Sequence, residues 1–261
     1  MQEPIRAANR LVSWTALWSL SLAAALPADA QAPSPAGAQF QVNTYTTIAQ
    51  RFPSVAASAD GRFVVVWQSN GSPGTDTSIS SVQGQRYASD GSAQGAQFQV
   101  NTYTSLTQDY VRVASDADGD FVVVWQSTGS FGTDTSKQSI QGQRYASNGA
   151  AQGAQFQVNT YTTGNQYRPA VAADSDGDFV VVWFDYDWPG IADPRLRGQR
   201  YASDGSAQGA EFQVSPSTPG VQTDPSVAAD ADGDFVVVWQ STGSFGTDTS
   251  KQSIQGQRYA S

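Results

Sequence analysis

The sequence predicts an all-β protein, a β-propeller of four four-stranded blades, on three observations. The first is a repeat: Trp67, Trp125, Trp183 and Trp239 stand 58, 58 and 56 residues apart, and a GQRY tetrad keeps the same steps from Gly84 through Gly142 and Gly198 to Gly256. Segments Asp116–Ser147 and Asp230–Ser261 are identical letter for letter. A fixed period marks a repeat architecture, in which each copy is one supersecondary unit that buries its apolar faces against its neighbours. The second is the run FVVVW, present in every copy. It is apolar on both faces, which suits a strand covered on both sides. The third is turn chemistry: Asp60-Gly61, Asp118-Gly119, Asp176-Gly177 and Asp232-Gly233 each precede an FVVVW run by one or two residues. Asp-Gly is a strong tight-hairpin signal.

From the N-terminus, Arg6 and Arg10 flank or precede an apolar run, Leu11–Leu26, and Pro27 leads into Ala28-Asp29-Ala30. That is the order of a secretory signal and its cleavage site. The expected organisation is a signal peptide over residues 1–30, a leader over 31–37 containing Pro33 and Pro35, and a four-repeat propeller domain over 38–261. The apolar run is short for a membrane span. With the signal removed no span is expected, and the mature chain belongs in the periplasm, at the cell surface or outside the cell.

Within the second copy, strands are expected at Val111–Ser115, Phe121–Ser127, Ser139–Tyr145 and Gln155–Asn159. Phe121, Val123 and Trp125 then face one neighbour while Val122 and Val124 face the other. The innermost strand is rich in small residues, as at Ser54–Ser58, Ala170–Asp174 and Ser226–Asp230, which suits a crowded axis. A second set of tight turns, Asp90-Gly91, Asn148-Gly149 and Asp204-Gly205, joins the third and fourth strands. Longer connections, Gln126–Gln138 and Thr160–Arg168, fall at the other end of the strands. Tight turns should therefore line one face and long loops the other. The chain enters the repeat on a fourth-strand sequence, Gln39–Asn43, and the last third strand ends just before Ser261. The N-terminal strand is expected to complete the last blade and remove an open edge. The competing reading is part of a larger ring or an open array.

The pattern DGDFVVVWQS…GQRYxxxGxxxGxxFQVNT, over Gly37–Ser261, resembles the tandem repeats of large secreted bacterial proteins held to form β-propellers. Those proteins often carry calcium-binding repeats or adhesin-like modules elsewhere. The resemblance implies a propeller fold and an extracellular location, and it attaches no catalytic activity to the repeat.

Composition narrows the chemistry. Net charge is −9, and Lys137 and Lys251 are the only lysines. There is no basic stripe for phosphates, so nucleic acid is excluded as an expected partner. The chain holds neither Cys nor His. Disulfides, thiolate sites and Ser-His-Asp or Cys-His catalysis are thereby excluded.

Three constellations remain. Asp116, Asp118 and Asp120 recur as Asp174, Asp176, Asp178 and as Asp230, Asp232, Asp234, and spaced oxygen ligands are what calcium takes. The register is not that of an EF-hand, the first copy reads Ser58, Asp60, Arg62, and the other reading is a solubilised hairpin turn. Calcium is the one cofactor to weigh; no other is implied. The second constellation, Arg86, Arg144, Arg200 and Arg258, is equivalent in every copy and reads as architecture. The third is where the repeat breaks. The third copy replaces QSTGSFGTDTSKQSIQ by FDYDWPGIADPRLR, so Phe184, Asp185, Tyr186, Asp187, Trp188, Asp193 and Arg195 make an aromatic-acidic segment on the long-loop face. Such a segment suits sugar stacking or a protein contact, or else it packs its own rings. Tyr45, Tyr103 and Tyr161 lie near the same face, and Glu211 stands where other copies carry Gln39, Gln97 and Gln155 and reads as drift.

These features lead to the expectation of a secreted, non-catalytic module that binds an extracellular protein or carbohydrate through loops on one face. The alternative is a sialidase- or glycosidase-like hydrolase that uses Asp residues near the axis.

Overall fold

A computed structural model describes residues 34–71, 74–129, 132–135, 137–186, 195–215, 220–242, 247–248 and 250–261. The expected signal peptide lies outside them. Gln41–Ser261 is one compact unit; of the other, the described residues 34–40 form no strand.

The first blade comprises β1 (Gln50–Ala57), β2 (Phe63–Ser69), β3 (Ser81–Tyr87) and β4 (Ala93–Gln99). The second holds β5 (Gln108–Ser115), β6 (Phe121–Thr128), β7 (Gln138–Tyr145) and β8 (Ala151–Gln157). The third holds β9 (Asn165–Ala173), β10 (Phe179–Tyr186), β11 (Arg195–Tyr201) and β12 (Ala207–Gln213), and the fourth β13 (Gln222–Ala229), β14 (Phe235–Ser241) and β15 (Ser253–Tyr259). Each blade is an antiparallel meander in chain order, and no helix occurs among the described residues. The all-β class and the first three strands of each blade are as the sequence predicts. The fourth runs Ala151–Gln157 in the second blade rather than Gln155–Asn159, because pairing resumes directly after the Asn148-Gly149 turn with Ala151 opposite Tyr145.

Period-two geometry and the FVVVW runs explain the packing. One face of each blade's second strand meets the opposite face of the next blade's. Val64, Val66 and Val82 of the first blade pack with Val113, Phe121, Val123 and Trp125 of the second. Val122, Val124 and Ile140 then meet Phe179, Val181 and Trp183, and Val180, Val182 and Leu196 meet Phe235, Val237 and Trp239. Each such side chain contributes roughly 1.5–3 kcal/mol when fully buried. These three interfaces are the core of the protein. Gly84, Gly142 and Gly198 recur because a ring lies where a Cβ would stand: an added Cβ would come within 2.7, 2.6 and 2.7 Å of Phe98, Phe156 and Phe212.

The innermost strands β1, β5, β9 and β13 stand side by side, and at the tight-turn end all four border one cavity of about 220 Å³. Their other ends share a bulge. Ladder register slips between Arg51 and Ser54, Asp109 and Arg112, and Thr223 and Ser226, with a matching slip in β10 opposite β9. At the bulge Phe52, Tyr110, Arg168 and Asp224 adopt left-handed φ of 53°, 51°, 51° and 53°. Non-glycine residues hold that conformation only where the surrounding structure imposes it.

The expected closure has no counterpart in the sheet topology. β15 pairs with β14 alone, and Gln39–Asn43 is not a strand. The residues differ here from their equivalents: Val236, Val238 and Ile254 of the fourth blade are 37%, 38% and 74% exposed. Val122, Val124 and Ile140, in an identical sequence, are 4%, 0% and 0% exposed because the third blade covers them.

Candidate active site

The aromatic-acidic segment of the third copy is only partly a loop. Asp187, Trp188 and Asp193 lie outside the described residues. Phe184, Asp185 and Tyr186 extend β10, and Arg195 opens β11. Phe184 stacks on its cross-strand partner Tyr167 at 6.2 Å and lies tilted against Tyr186 at 6.0 Å. Arg195 Nη1 donates to Gln213 Oε1 at 3.4 Å. Asp185 is buried, and its carboxylate accepts from Arg197 Nε at 2.5 Å and from Gln166 Nε2 at 3.2 Å. Burial pushes its pKa up, against the pull of the Arg197 guanidinium.

Arg197 also holds Glu211, donating from Nη1 to Oε1 at 3.0 Å, and its guanidinium lies 4.8 Å over the Tyr161 ring. The Asp185 and Glu211 side chains are each only 6% exposed. Glu211 is therefore not drift. In the second blade Gln155 Oε1 accepts from Thr102 and Tyr103, while its amide donates to Gln141 Oε1 at 3.3 Å. Glu211 Oε2 keeps the equivalent bonds from Thr160 and Tyr161, but a carboxylate has no proton to donate onward. The facing Gln is accordingly an Arg, and the position of Ser127 is Asp185. Three neutral groups have become a charged network whose bonds run the opposite way. All four of its carboxylate oxygens are engaged, which makes it a support rather than a reacting group.

The Asp trios serve their own turns. Asp116 Oδ1 accepts from the Asp120 amide, Asp174 Oδ1 from those of Asp176 and Asp178, and Asp230 Oδ1 from those of Asp232 and Asp234. Asp120 and Asp178 reach across to Ser147 and Gln152, and to Ser203 and Gln208; Asp234 reaches Ser261. Asp118, Asp176 and Asp232 occupy the turns themselves. Among the described residues no group of three acidic side chains could hold a metal ion. A cavity of about 590 Å³ lies between the second and third blades at this end, lined by Asp116, Asp118, Asp120, Arg144, Asp176 and Asp204. Two of the recurrent arginines tie their blade to the next: Arg86 Nη1 donates to the Ser147 carbonyl at 2.8 Å, and Arg144 to that of Ser203.

The bulges at the opposite ends of the inner strands are different, because there every copy carries its own residues: Arg51-Phe52, Asp109-Tyr110, Tyr167-Arg168 and Thr223-Asp224. Their side chains touch in sequence around the rim. Phe52 stacks on Tyr110 at 5.8 Å, the Arg168 guanidinium lies 5.7 Å over Tyr110, and Arg168 forms an ion pair with Asp224. Asp109 stands opposite Gln126, whose Oε1 accepts from the Arg168 amide. Asp109 Oδ1 is enclosed and has no hydrogen-bond partner, and burial raises its pKa to about 6. A carboxyl whose pKa burial raises to about 6 is thus set in the same rim as one paired to a guanidinium, the separation of roles that acid–base chemistry uses. Sequence reasoning looked for broken symmetry in the replaced segment 184–197 and missed this dipeptide. The available signal was an invariant Gln50, Gln108, Gln166 and Gln222 followed by two positions that never repeat.

No protein-family model and no curated protein matches the chain. Solved structures do. A GH93 α-L-arabinofuranosidase of Fusarium graminearum, solved with arabinobiose, superposes with a TM-score of 0.53 at 11% identity over 80% of this chain and 61% of that one. The chain thus spans less than two thirds of that enzyme's length. A thermostable family-43 glycoside hydrolase gives 0.48 at 12% identity over 81% and 72%. An α-L-arabinofuranosidase from Lactobacillus brevis gives 0.46 at 14% over 78% and 71%. The likeness establishes a β-propeller type of fold. It also corrects the expectation of a non-catalytic binding module. That expectation rested on a repeat without an attached activity, whereas the GH93 structure that shares the fold is that of an α-L-arabinofuranosidase.

Proposed function

We propose that the chain is an exported carbohydrate-active hydrolase that cleaves glycosidic bonds at the long-loop rim of its inner strands. One observation carries the reading: at the rim where every copy differs, Asp109 has an enclosed, unpartnered Oδ1 and a pKa raised to about 6, while Asp224 pairs with Arg168. Glycoside hydrolysis uses two carboxyl groups, one donating a proton to the leaving oxygen, the other acting as carboxylate base or nucleophile. Asp109 takes the first part and Asp224 the second. Arg168 orients Asp224 and stacks over Tyr110, and Phe52, 51% exposed, offers a ring face to a sugar. Asp185, Arg197 and Glu211 brace the neighbouring strands. Residues 1–30 act as the export signal, and the partner is an extracellular glycan.

The test is hydrolysis of arabinofuranosides first, the class named for the GH93 enzyme, and then a panel of nitrophenyl glycosides and plant polysaccharides. Asp109→Asn and Asp224→Asn should each lower kcat by roughly 10²–10⁴, the usual worth of one acid–base group, with unchanged circular dichroism. Turnover that survives both substitutions, or a wild-type chain inert on the whole panel, would sink the assignment.

A further inference from the structure

Successive blades enclose cavities at the tight-turn end, and equivalent positions line them from one pair of blades to the next. Between the second and third blades the lining includes Asp116, Asp120, Arg144 and, from the following blade's turn, Asp204. Between the first and second blades the cavity measures about 360 Å³, and the same four positions are Ser58, Arg62, Arg86 and Asn148. Three carboxylates beside one guanidinium have become two guanidiniums, and among the described residues no carboxylate lines this cavity. A fifth position departs with them. Ser115 stands where the other copies carry Ala57, Ala173 and Ala229; it lines the same cavity, and its enclosed Oγ has no hydrogen-bond partner.

The two cations are held in place without being fully neutralised. Arg62 gives Nε to Asp60 at 2.6 Å and Nη2 to the Asp118 carbonyl at 2.8 Å, which leaves Nη1 unbonded among the described residues. Arg86 gives Nη1 to the Ser147 carbonyl at 2.8 Å and forms no ion pair among them. Burial pushes the Arg86 pKa down, and repulsion from the Arg62 guanidinium acts in the same direction. Asp60 balances one of the two charges, so one positive charge is left beside a space of ligand size. The rest of the lining suits a sugar ring: aromatic surface from Phe63 and Tyr87, and polar groups from Gln94, Asn148 and Ser115.

We propose that this cavity binds a sugar acid, its carboxylate taken by Arg62 and Arg86 and its hydroxyl groups by the neutral lining. A planar carboxylate accepts parallel bonds from a guanidinium fork, so one such group meets the donors that the fold leaves open. The site lies at the opposite end of the strands from the bulges that carry Asp109 and Asp224, and it is separate from the proposed cleavage site.

Isothermal titration of the full chain at low salt with galacturonate and with glucuronate tests the assignment. Both should bind with a Kd of about 1 mM or tighter, whereas galactose and glucose, which lack the charge, should not. Arg62→Asp and Asn148→Asp each install the residue that the other copies carry there, which spares the fold. Each should weaken binding by about tenfold or more, with thermal melting to confirm folding; should one variant melt low, the other decides. Asp109→Asn should bind as wild type does, so this site and the hydrolase reading fail separately. Its loss of binding would place the sugar acid at the rim and overturn the site. No binding of either sugar acid, or binding undiminished in folded Arg62→Asp and Asn148→Asp, overturns the proposal. Acetate or sulfate held as tightly as the sugar acids overturns its sugar half.

Discussion

Replacing Arg197 by Gln installs the residue that the equivalent positions carry as Gln83, Gln141 and Gln255. In those blades it is harmless, so any cost measures the surroundings. In the third blade the change removes the only cation touching Asp185 and Glu211 among the described residues, leaving two carboxylates whose side chains are 6% exposed. Breaking a buried ion pair by removing one partner costs about 3–5 kcal/mol. Arg197 is itself 27% exposed, so water screens part of this and about 3 kcal/mol is expected. For a domain of this size that lowers Tm by roughly 6–12 °C, read by differential scanning calorimetry at pH 7. The deficit should shrink as pH falls, since the stranded Asp185 carboxyl, whose pKa burial already raises, then takes up a proton. The triple variant Asp185→Ser, Arg197→Gln, Glu211→Gln restores the neutral set of the second blade and should return within about 1 kcal/mol of wild type, because coupled sites are not additive. A single variant that costs under about 1 kcal/mol, or a triple variant as unstable as the single, would refute the view that these residues changed as one unit.

Two further outcomes follow from the carboxyl groups. Asp109 has a folded pKa of about 6 against an ordinary 3.8. The native state therefore binds more protons than the unfolded chain between about pH 4 and 6, and stability falls as pH rises through that window, by roughly 1–2 kcal/mol after allowance for partial exposure. Urea titrations of wild type and Asp109→Asn should differ in slope there, and parallel curves would contradict the burial assigned to Asp109. Removing calcium with a chelator should leave Tm unchanged within about 1 °C, since the Asp trios serve backbone amides and mass action requires a bound ion to raise stability. A rise of several degrees on adding calcium would return those turns to the list of sites.

Much of the fold was legible because it rests on local, repeated signals. The Asp-Gly dipeptides place Gly61, Gly119, Gly177 and Gly233 at φ from 83° to 88°, and the doubly apolar FVVVW runs became the second strands at the predicted residues. The candidate site was less legible for a physical reason. Residues 109–110 and 223–224 lie more than 100 positions apart, and only stacking of the inner strands brings their bulges to one rim. Nor does a bulge announce itself: Tyr110 and Asp224 are ordinary letters at left-handed φ. The Glu211 substitution was visible, yet alone it carried no meaning. Its sense lies in the reversed hydrogen bond to Arg197, the last residue of the replaced segment 184–197.

The repeat itself explains why the variable rim and the architecture separate in this chain. A blade buries one face against each neighbour, so a substitution in Val122, Val124 or Trp125 disturbs an interface, whereas one at the bulge changes only what the rim presents. Copies of one blade can therefore diverge at 51–52, 109–110, 167–168 and 223–224 while the strands around them stay fixed. The same logic accounts for the identical segments 116–147 and 230–261 in unlike surroundings. Burying Ile140 and exposing Ile254 with one sequence shows that the chain encodes the character of a face rather than its occupant. An isoleucine face left in water forfeits about 25 cal/mol for each Å² of apolar surface that a neighbour would cover.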